Sequence, residues 1–412
     1  MTPPSIPLDP RREKLLLLAL AGIQFAHIVD FMIMMPLGPL LMSELAIDAQ
    51  RFGLLVSAYS FSAGAIGALA AIGVDRFERK RLLLSALALF ALATLMCGLA
   101  PGFATLLIAR ALAGAFGGVL GSLVHTIVGD LIPFERRGRA AGVIMSAFSL
   151  STIAGVPLSL FLANHFGWRA PFFLIAALSA ALLIVGLAQL PVMRGHLPTA
   201  TPGAEERAHP LAALRATVTN ANHLRALAFM ALLMLGGFTV IPYLTIYATA
   251  NVGMRQQDIP YLYLAGGFAT FFTARLIGRL ADRHGKVRIF RIVACAALAP
   301  LYWQTRLPAV PLWLMILCTT LFFVFVSGRM TPAMAIVASA PEPRLRGTFM
   351  FLNGAVQNMF SGIAAWIGGQ MVAMQDKRLV GYGDVGLLAM IATLASLWLA
   401  GRIRLQGAAP GK

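Results

Sequence analysis

Charged residues are scarce in this sequence. Only 12% of its 412 residues are Asp, Glu, Lys or Arg, whereas 59% are hydrophobic and the mean hydropathy is +0.80. This composition lies outside the range of soluble globular proteins. Cysteine is scarce too, and Cys97, Cys295 and Cys318 all lie within apolar runs, which excludes the disulfide framework of a small secreted domain.

Motifs that carry chemistry are also missing. The sequence has no His-Glu-x-x-His metal motif, no Gly-x-Ser-x-Gly nucleophile motif and no P-loop. We therefore expect neither an enzyme nor an ATP-driven pump, and neither a metal nor another cofactor. No segment suggests a channel filter, and the longest polar stretch, of about thirty residues, is too short for the added soluble domain of a receptor.

Long apolar runs dominate instead. A hydrocarbon core of about 30 Å needs roughly 20 residues of α-helix, and twelve runs reach about that length. None alternates in polarity as barrel strands do, so we predict an all-α polytopic membrane protein. The runs cover about residues 15–42, 52–74, 82–100, 104–131, 139–164, 170–191, 223–250, 258–281, 288–304, 310–338, 346–373 and 384–401.

The basic residues follow this topology. The net charge is +17, and about 24 of the 33 Lys and Arg residues lie at the N-terminus, in the even-numbered loops or at the C-terminus. Only about six lie in the odd-numbered loops. The positive-inside rule then predicts that both termini are cytoplasmic, and the excess charge does not imply a nucleic-acid partner.

The chain divides into two halves that contain similar short sequences at corresponding positions. Residues 1–191 and 223–412 each contain six runs, and the polar, Pro- and Gly-containing residues 192–222 between them are predicted to form a cytoplasmic linker. Asp75-Arg76 after the second run recurs as Asp282-Arg283 after the eighth, 207 residues later. Arg-Gly pairs at 137–138 and 346–347 have an offset of 209. This similarity indicates an internal duplication.

These loops resemble the signature of the major facilitator superfamily, Gly-x-x-x-Asp-Arg-x-Gly-Arg/Lys-x-Arg/Lys. The second copy matches closely, whereas the first has Ala71 and Glu78 where the family has glycines. The resemblance implies two pseudo-symmetric bundles of six helices, alternating access and a monomer. It also implies gating charge networks at the cytoplasmic helix ends, although the same charges could merely fix topology. The residues concerned are Asp75, Arg76, Arg79, Gly278, Asp282 and Arg283.

Asp30, near the middle of the first run, is the strongest clue to mechanism. A carboxylate at mid-membrane costs about 2.5–3.5 kcal/mol on insertion scales, so it needs a partner or a task such as binding a proton. His27 is three residues away on the same helix face and could share that proton or simply pack. Arg110 matches the superfamily's membrane-embedded arginine, and the resemblance implies a role in proton coupling, although Arg110 could instead be a structural partner of Asp30. Arg329 is also an eligible partner for Asp30.

The fifth run contains Gly155 and Pro157, which resemble the Gly-Pro-rich motif of drug and sugar proton antiporters. Glycine and proline weaken the helix and allow a bend or a close contact, which is useful where two halves must pivot, so we predict that both residues take part in conformational gating. The resemblance to the antiporters favours export. The alternative is a simple kink in a packed helix.

The family's architecture implies that spans 1, 4, 7 and 10 line a substrate cavity, and the eleventh run adds two polar residues on one face. Within the spans, the arginines Arg110, Arg275 and Arg329 outnumber the acids, so an organic anion or zwitterion is as credible a substrate as a cationic drug. The predicted cavity residues are Phe31, Met34, His125, Tyr243, Tyr247, Arg329, Asn353 and Gln357.

The combined prediction is a multi-pass transporter of the cell membrane, in bacteria the inner membrane, whose partners are the bilayer, protons and a small molecule. We expect proton-coupled efflux of a drug-like compound, a sugar or an organic-acid metabolite. The alternatives are nutrient uptake and translocation of a lipid or lysolipid.

Overall fold

The computed structural model describes residues 10–73, 77–132, 134–191, 193, 210–342 and 345–405. The first half of this part is helical almost throughout, as its apolar runs predict. Its helices are α1 (Pro10–Ile33), α2 (Gly38–Glu44), α3 (Ala49–Gly73), α4 (Arg79–Leu99), α5 (Phe103–Leu131), α6 (Phe134–Leu150), α7 (Val156–Phe166) and α8 (Ala170–Gln189).

The second half begins with a helix inside the predicted linker. The helices are α9 (Pro210–Thr219), α10 (Ala221–Phe238), α11 (Leu244–Ala250), α12 (Ile259–His284), α13 (Lys286–Gln304), α14 (Leu312–Gly328), α15 (Met330–Ala338), α16 (Arg346–Met371) and α17 (Tyr382–Ala400). Asn220 caps α10, because its side chain accepts hydrogen bonds from the backbone N–H groups of Asn222 and His223.

Within the described residues, nine helical segments are long and apolar enough to cross a bilayer. They correspond to nine of the twelve predicted spans. The other three, α12, α13 and α16, are helical at the predicted places but carry more polar residues, such as Arg275 in α12 and Asn353 in α16. The protein is therefore a multi-pass helical membrane protein, and the count of twelve spans stays a prediction.

Four of the predicted spans are interrupted. In each case a proline lies in or beside the break, where it lacks the N–H that a continuous helix needs. Turns separate α1 from α2, a π-helical turn precedes α7, a short 3-10 turn precedes α11, and α14 and α15 meet at Arg329. The prolines are Pro36, Pro157, Pro242 and Pro332.

One element corrects the all-α prediction. The loop after α16 forms a hairpin of β1 (Ala373–Gln375) and β2 (Arg378–Val380), with Gln375 paired to Arg378. Asp376 and Lys377 between the strands have φ of 46° and 63°, the two left-handed residues of a tight hairpin turn. Asn251 holds the hairpin by two hydrogen bonds to the backbone of Leu379.

The two halves of the chain touch most extensively between α3 and α16 and between α12 and α7 with its π-helical turn, and α2 also contacts α11. Glycines permit the close approach of α3 and α16. A Cβ on Gly53 would lie 3.3 Å from the Cα of Gly369, and one on Gly64 would lie 3.2 Å from the carbonyl oxygen of Ala355. The two helices are therefore antiparallel and are in contact from Gly53 to Gly64.

The apolar core follows the same pattern. One buried cluster extends from the first eight helices into Tyr243, Leu301, Phe322 and their neighbours in the second half. A second cluster, which includes Phe229 and Phe349, is built from second-half residues only. The two halves thus share one apolar core around Tyr243, Leu301 and Phe322. The helix ends around Phe229 and Phe349 have a core of second-half residues alone.

Candidate functional site

Asp30 and Arg110 form an ion pair in the interior of the first half. Nη1 of Arg110 lies 2.8 Å from Oδ2 of Asp30 and also donates a 3.2 Å hydrogen bond to the Asp30 carbonyl oxygen. Both side chains are 0% exposed. The structure thus pairs Asp30 with Arg110 and not with Arg329, a choice that the sequence left open.

Two further side chains complete this site. The hydroxyl of Thr94 on α4 donates a 3.5 Å hydrogen bond to Oδ1 of Asp30, and the Arg110 guanidinium lies 4.4 Å from the centre of the Tyr59 ring. Sequence reasoning missed both residues. Their only signal was polarity: Thr94 is a hydroxyl in an apolar run, and Tyr59 is an aromatic residue with a polar tip.

Glycines on α5 bring Tyr59 to Arg110. A Cβ on Gly114 would collide with the backbone of Tyr59, and one on Gly118 would lie 2.6 Å from the carbonyl oxygen of Ala63. Because neither position has a side chain, α3 packs directly against the α5 backbone. This close packing places an aromatic face over the buried guanidinium.

The ring of His27 does not reach Asp30. It lies against α5, where a Cβ on Gly121 would be 3.3 Å from Nε2 of His27. Within the described residues neither ring nitrogen of His27 has a hydrogen-bond partner. His125 is exposed and lies one turn beyond Gly121, on the same face of α5. The structure therefore places the His27 ring on the face of α5 that carries Gly121 and His125, and not at the carboxylate.

Of the other predicted cavity residues in the first half, Phe31 is half-buried and Met34 is fully buried. The Phe31 ring lies 5.4 Å from that of Tyr59 and 5.8 Å from that of Phe238. Phe31 thus joins the ion-pair region to α10 of the second half.

Tyr243 and Tyr247 are both buried. The hydroxyl of Tyr243 donates a 2.6 Å hydrogen bond to the carbonyl oxygen of Ala365, and that of Tyr247 donates a 3.0 Å bond to the carbonyl oxygen of Leu307. Their polar ends are therefore occupied by backbone groups, and their role as substrate contacts stays a prediction.

Arg329 is buried between α10, α14 and α17. Its Nη1 donates a 2.6 Å hydrogen bond to Oγ1 of Thr393 and its Nη2 a 2.8 Å bond to the carbonyl oxygen of Gly236. In the described part of the chain it forms no ion pair. Asn353 is buried as well, and Gln357 donates a 3.8 Å hydrogen bond to the sulfur of Met334.

Only part of the predicted gating charges can be placed. Asp75 and Arg76 lie outside the described residues. Arg79 is buried and forms a 3.1 Å ion pair with Asp130 at the end of α5. Asp282 and Arg283 are exposed and, within the described ranges, form no ion pair. On Gly278, a Cβ would lie 3.5 Å from the Cγ2 atom of Thr331, an ordinary contact.

Gly155 and Pro157 lie where the fifth span changes its helical type. Residues Ser151–Gly155 form the π-helical turn, and α7 begins at the next residue. A Cβ on Gly155 would lie 2.5 Å from Val29, so α1 packs tightly against this turn. Both the irregular helix and the close contact that the motif predicts are present, and their gating role stays a prediction.

Comparisons with known proteins agree with this architecture. The sequence matches the model of the Major Facilitator Superfamily over residues 20–365. The MFS-type transporter YceJ of Bacillus subtilis (strain 168) is 26% identical over 341 residues, which cover 83% of this chain and 84% of that protein. YwfA, an MFS-type transporter of the same strain, is 26% identical over 383 residues, 92% of this chain and 90% of that protein.

Solved transporters have the same fold. The nucleoside transporter NupG superposes with a TM-score of 0.73 at 16% identity, over 95% of this chain and 99% of that one. A bacterial homolog to the human lysosomal transporter Spinster, in an inward-facing and occupied conformation, gives a TM-score of 0.72 at 16% identity, over 97% and 100% of the two chains. At this identity the likeness concerns the fold.

Proposed function

Because this chain belongs to the major facilitator superfamily, we propose that it exports a small organic molecule in exchange for protons, by alternating access of two six-helix bundles. The chain is a membrane transporter and not an enzyme. Export, proton coupling and the two-bundle arrangement are the parts that we propose.

The Asp30–Arg110 pair is the observation that carries proton coupling. Other acids in the described helices lie near helix ends, such as Asp130, Asp258 and Asp384, whereas Asp30 is deep in α1. A proton on Asp30 would neutralise the carboxylate, and the charge attraction between Asp30 and Arg110 would be lost. Because the pair joins α1 to α5, its formation and loss can favour different positions of these two helices.

The contacts between the halves support alternating access. The contact of α3 with α16 runs from Gly53 to Gly64, and beyond Gly53 the side chains of Gln50 and Gln370 form a 2.7 Å hydrogen bond. The positive-inside rule assigns this end of α3 to the outside. We therefore propose that the outer side is closed and that the cavity opens to the cytoplasm. Both termini then lie in the cytoplasm, at a bacterial inner membrane.

Transport by purified protein in liposomes tests the proposal. An imposed pH gradient and an internal pH dye report proton movement when drugs, sugars, organic acids and lysolipids are added. Asp30→Asn keeps an oxygen that can accept the Arg110 hydrogen bond but cannot release a proton. We expect it to abolish proton movement, whereas Asp384→Asn, an exposed carboxylate at the start of α17, should behave as wild type.

The alternative functions give different results in the same assay. Uptake driven by the gradient would indicate nutrient import, and movement of lysolipid alone would indicate lipid translocation. If a compound crosses and Asp30→Asn leaves its proton coupling intact, the role of Asp30 is wrong.

A further inference from the structure

The charge balance within the helices disfavours a cationic substrate. A cation in the membrane interior needs a carboxylate to offset its desolvation. Asp30 is already paired with Arg110, and both are 0% exposed. The remaining acids of the described helices lie near the helix ends. The interior of the described helices thus offers no uncommitted carboxylate to a bound cation.

The same balance favours an anion. The Asp30–Arg110 pair is neutral, whereas Arg329 is buried with a hydroxyl and a carbonyl as its partners and has no carboxylate beside it in the described residues. Its positive charge is therefore not offset locally. A buried charge in a medium of low dielectric produces a potential that extends over several ångströms, and a positive potential stabilises an anion and destabilises a cation.

His27, His125 and Gln24 form a polar cluster on facing sides of α1 and α5. His27 of α1 lies against Gly121 of α5, and His125 is one turn further along α5. Gln24 is one turn before His27 on α1. His125 is exposed, so the cluster is open on one side.

The inner members of the cluster have unused polar atoms. Both ring nitrogens of His27 and Oε1 of Gln24 are buried, and within the described residues none of the three has a hydrogen-bond partner. Leaving such a group unpaired costs about 1–3 kcal/mol. A carboxylate offers acceptors for imidazole N–H groups, and the Gln24 amide can turn to present its NH2 group as a further donor.

We infer that the substrate is an organic anion, and that its carboxylate binds between His27 and His125 with the Gln24 amide beside it. This inference rests on the proposed transport function and adds the substrate class and the site. Phe31, one turn beyond His27 on the same helix, provides an apolar surface for the rest of the molecule.

A charge-matched series of ligands tests the class. Benzoate, benzamide and benzylammonium, and the corresponding naphthyl compounds, share their skeletons and differ in the polar group. We expect the carboxylates to raise Tm and to move protons in liposomes beyond the passive movement seen without protein, and the ammonium compounds to do neither. Protein-dependent proton exchange with the ammonium compounds would overturn the anion inference while the transport proposal stands. If proton movement is the same in Asp30→Asn as in wild type, the proposed transport mechanism is wrong.

Histidine variants test the site. His27→Phe and His125→Phe remove the imidazole nitrogens and keep an aromatic ring, and each should raise the apparent Kd for the carboxylate about tenfold, equivalent to about 1.4 kcal/mol. His165→Phe is the matched control, because His165 lies at the C-terminal end of α7 and, among the described residues, hydrogen-bonds the Phe161 carbonyl oxygen of its own helix. Equal affinity in all three variants would show that the site lies elsewhere.

A second measurement does not depend on the skeleton chosen. Cys295 is the exposed native thiol, so His125→Cys in a Cys295→Ser background places one accessible thiol at the site. We compare its reaction with the anionic sulfonatoethyl and the cationic trimethylammonioethyl methanethiosulfonates. Relative to Gln50→Cys at the outer end of α3, the anionic reagent should be favoured at position 125. A preference for the cationic reagent there would overturn the inference.

Discussion

The carboxylate of Asp30 is held by Arg110 at 2.8 Å, and neither side chain has contact with solvent. Removing one member of a fully buried ion pair leaves the other charge without compensation, which costs about 3–5 kcal/mol. We expect Asp30→Asn and Arg110→Gln each to lower Tm in detergent. The double variant should lose less stability than the sum of the two, because it leaves no unpaired charge. Additive losses would mean that the pair contributes nothing as a unit.

Gly118 should tolerate substitution poorly. A Cβ there would lie 2.6 Å from the carbonyl oxygen of Ala63, a backbone atom that cannot rotate away. We expect Gly118→Ala to cost about 1–3 kcal/mol, through separation of α3 from α5.

Gly142 of α6 is the control for this substitution. A Cβ there has no described atom within 4 Å, so Gly142→Ala should be neutral or gain up to about 1 kcal/mol from helix propensity. Thermal unfolding of the two variants in one detergent checks the contrast. Equal Tm values would mean that α3 can move away from α5 at little cost in free energy.

The sequence predicts how deep a side chain lies in the membrane and which face of its helix it occupies. It predicts less well which side chains of other helices it contacts. An acid and an arginine in separate apolar runs made Asp30 and Arg110 eligible partners. The contributions of Tyr59 and Thr94 depend on which face of α3 and α4 meets α5, and the apolar runs carry no such information. Contacts with the Tyr59 and Ala63 backbone at Gly114 and Gly118 fix that face for α3, and they appear only once the helices are packed.

His27 illustrates the same limit. Its spacing from Asp30 correctly places the two residues on neighbouring positions of α1. A side chain's direction, however, depends on its rotamer and on the space beside it. The missing side chain of Gly121 supplies that space, so the ring lies against α5 near His125. The hairpin after α16 was missed because strands of three residues are too short to show a period.

The buried guanidinium of Arg329 depends on Thr393 for a hydrogen-bond acceptor. Nη1 of Arg329 donates a 2.6 Å hydrogen bond to the Thr393 hydroxyl, and both residues are buried. Thr393→Val keeps the shape but removes the acceptor, so we expect a loss of about 1–3 kcal/mol and a lower Tm. Thr393→Ser retains a hydroxyl and should keep most of the wild-type stability. Equal Tm for the Val variant and wild type would show that the guanidinium finds another acceptor.

Cross-linking at the contact between α3 and α16 tests whether this contact must open during transport. Gln50 and Gln370 are exposed, and their side chains are joined by a 2.7 Å hydrogen bond, so cysteines at both positions lie within reach of a short bis-methanethiosulfonate, which links them through two reducible disulfides. In the Cys295→Ser background we expect the cross-link to stop transport and a reductant to restore it. Each single-cysteine variant, treated with the same reagent, should transport as before. Full transport by the cross-linked protein would mean that the two helices stay together throughout the cycle, which alternating access through this interface does not allow.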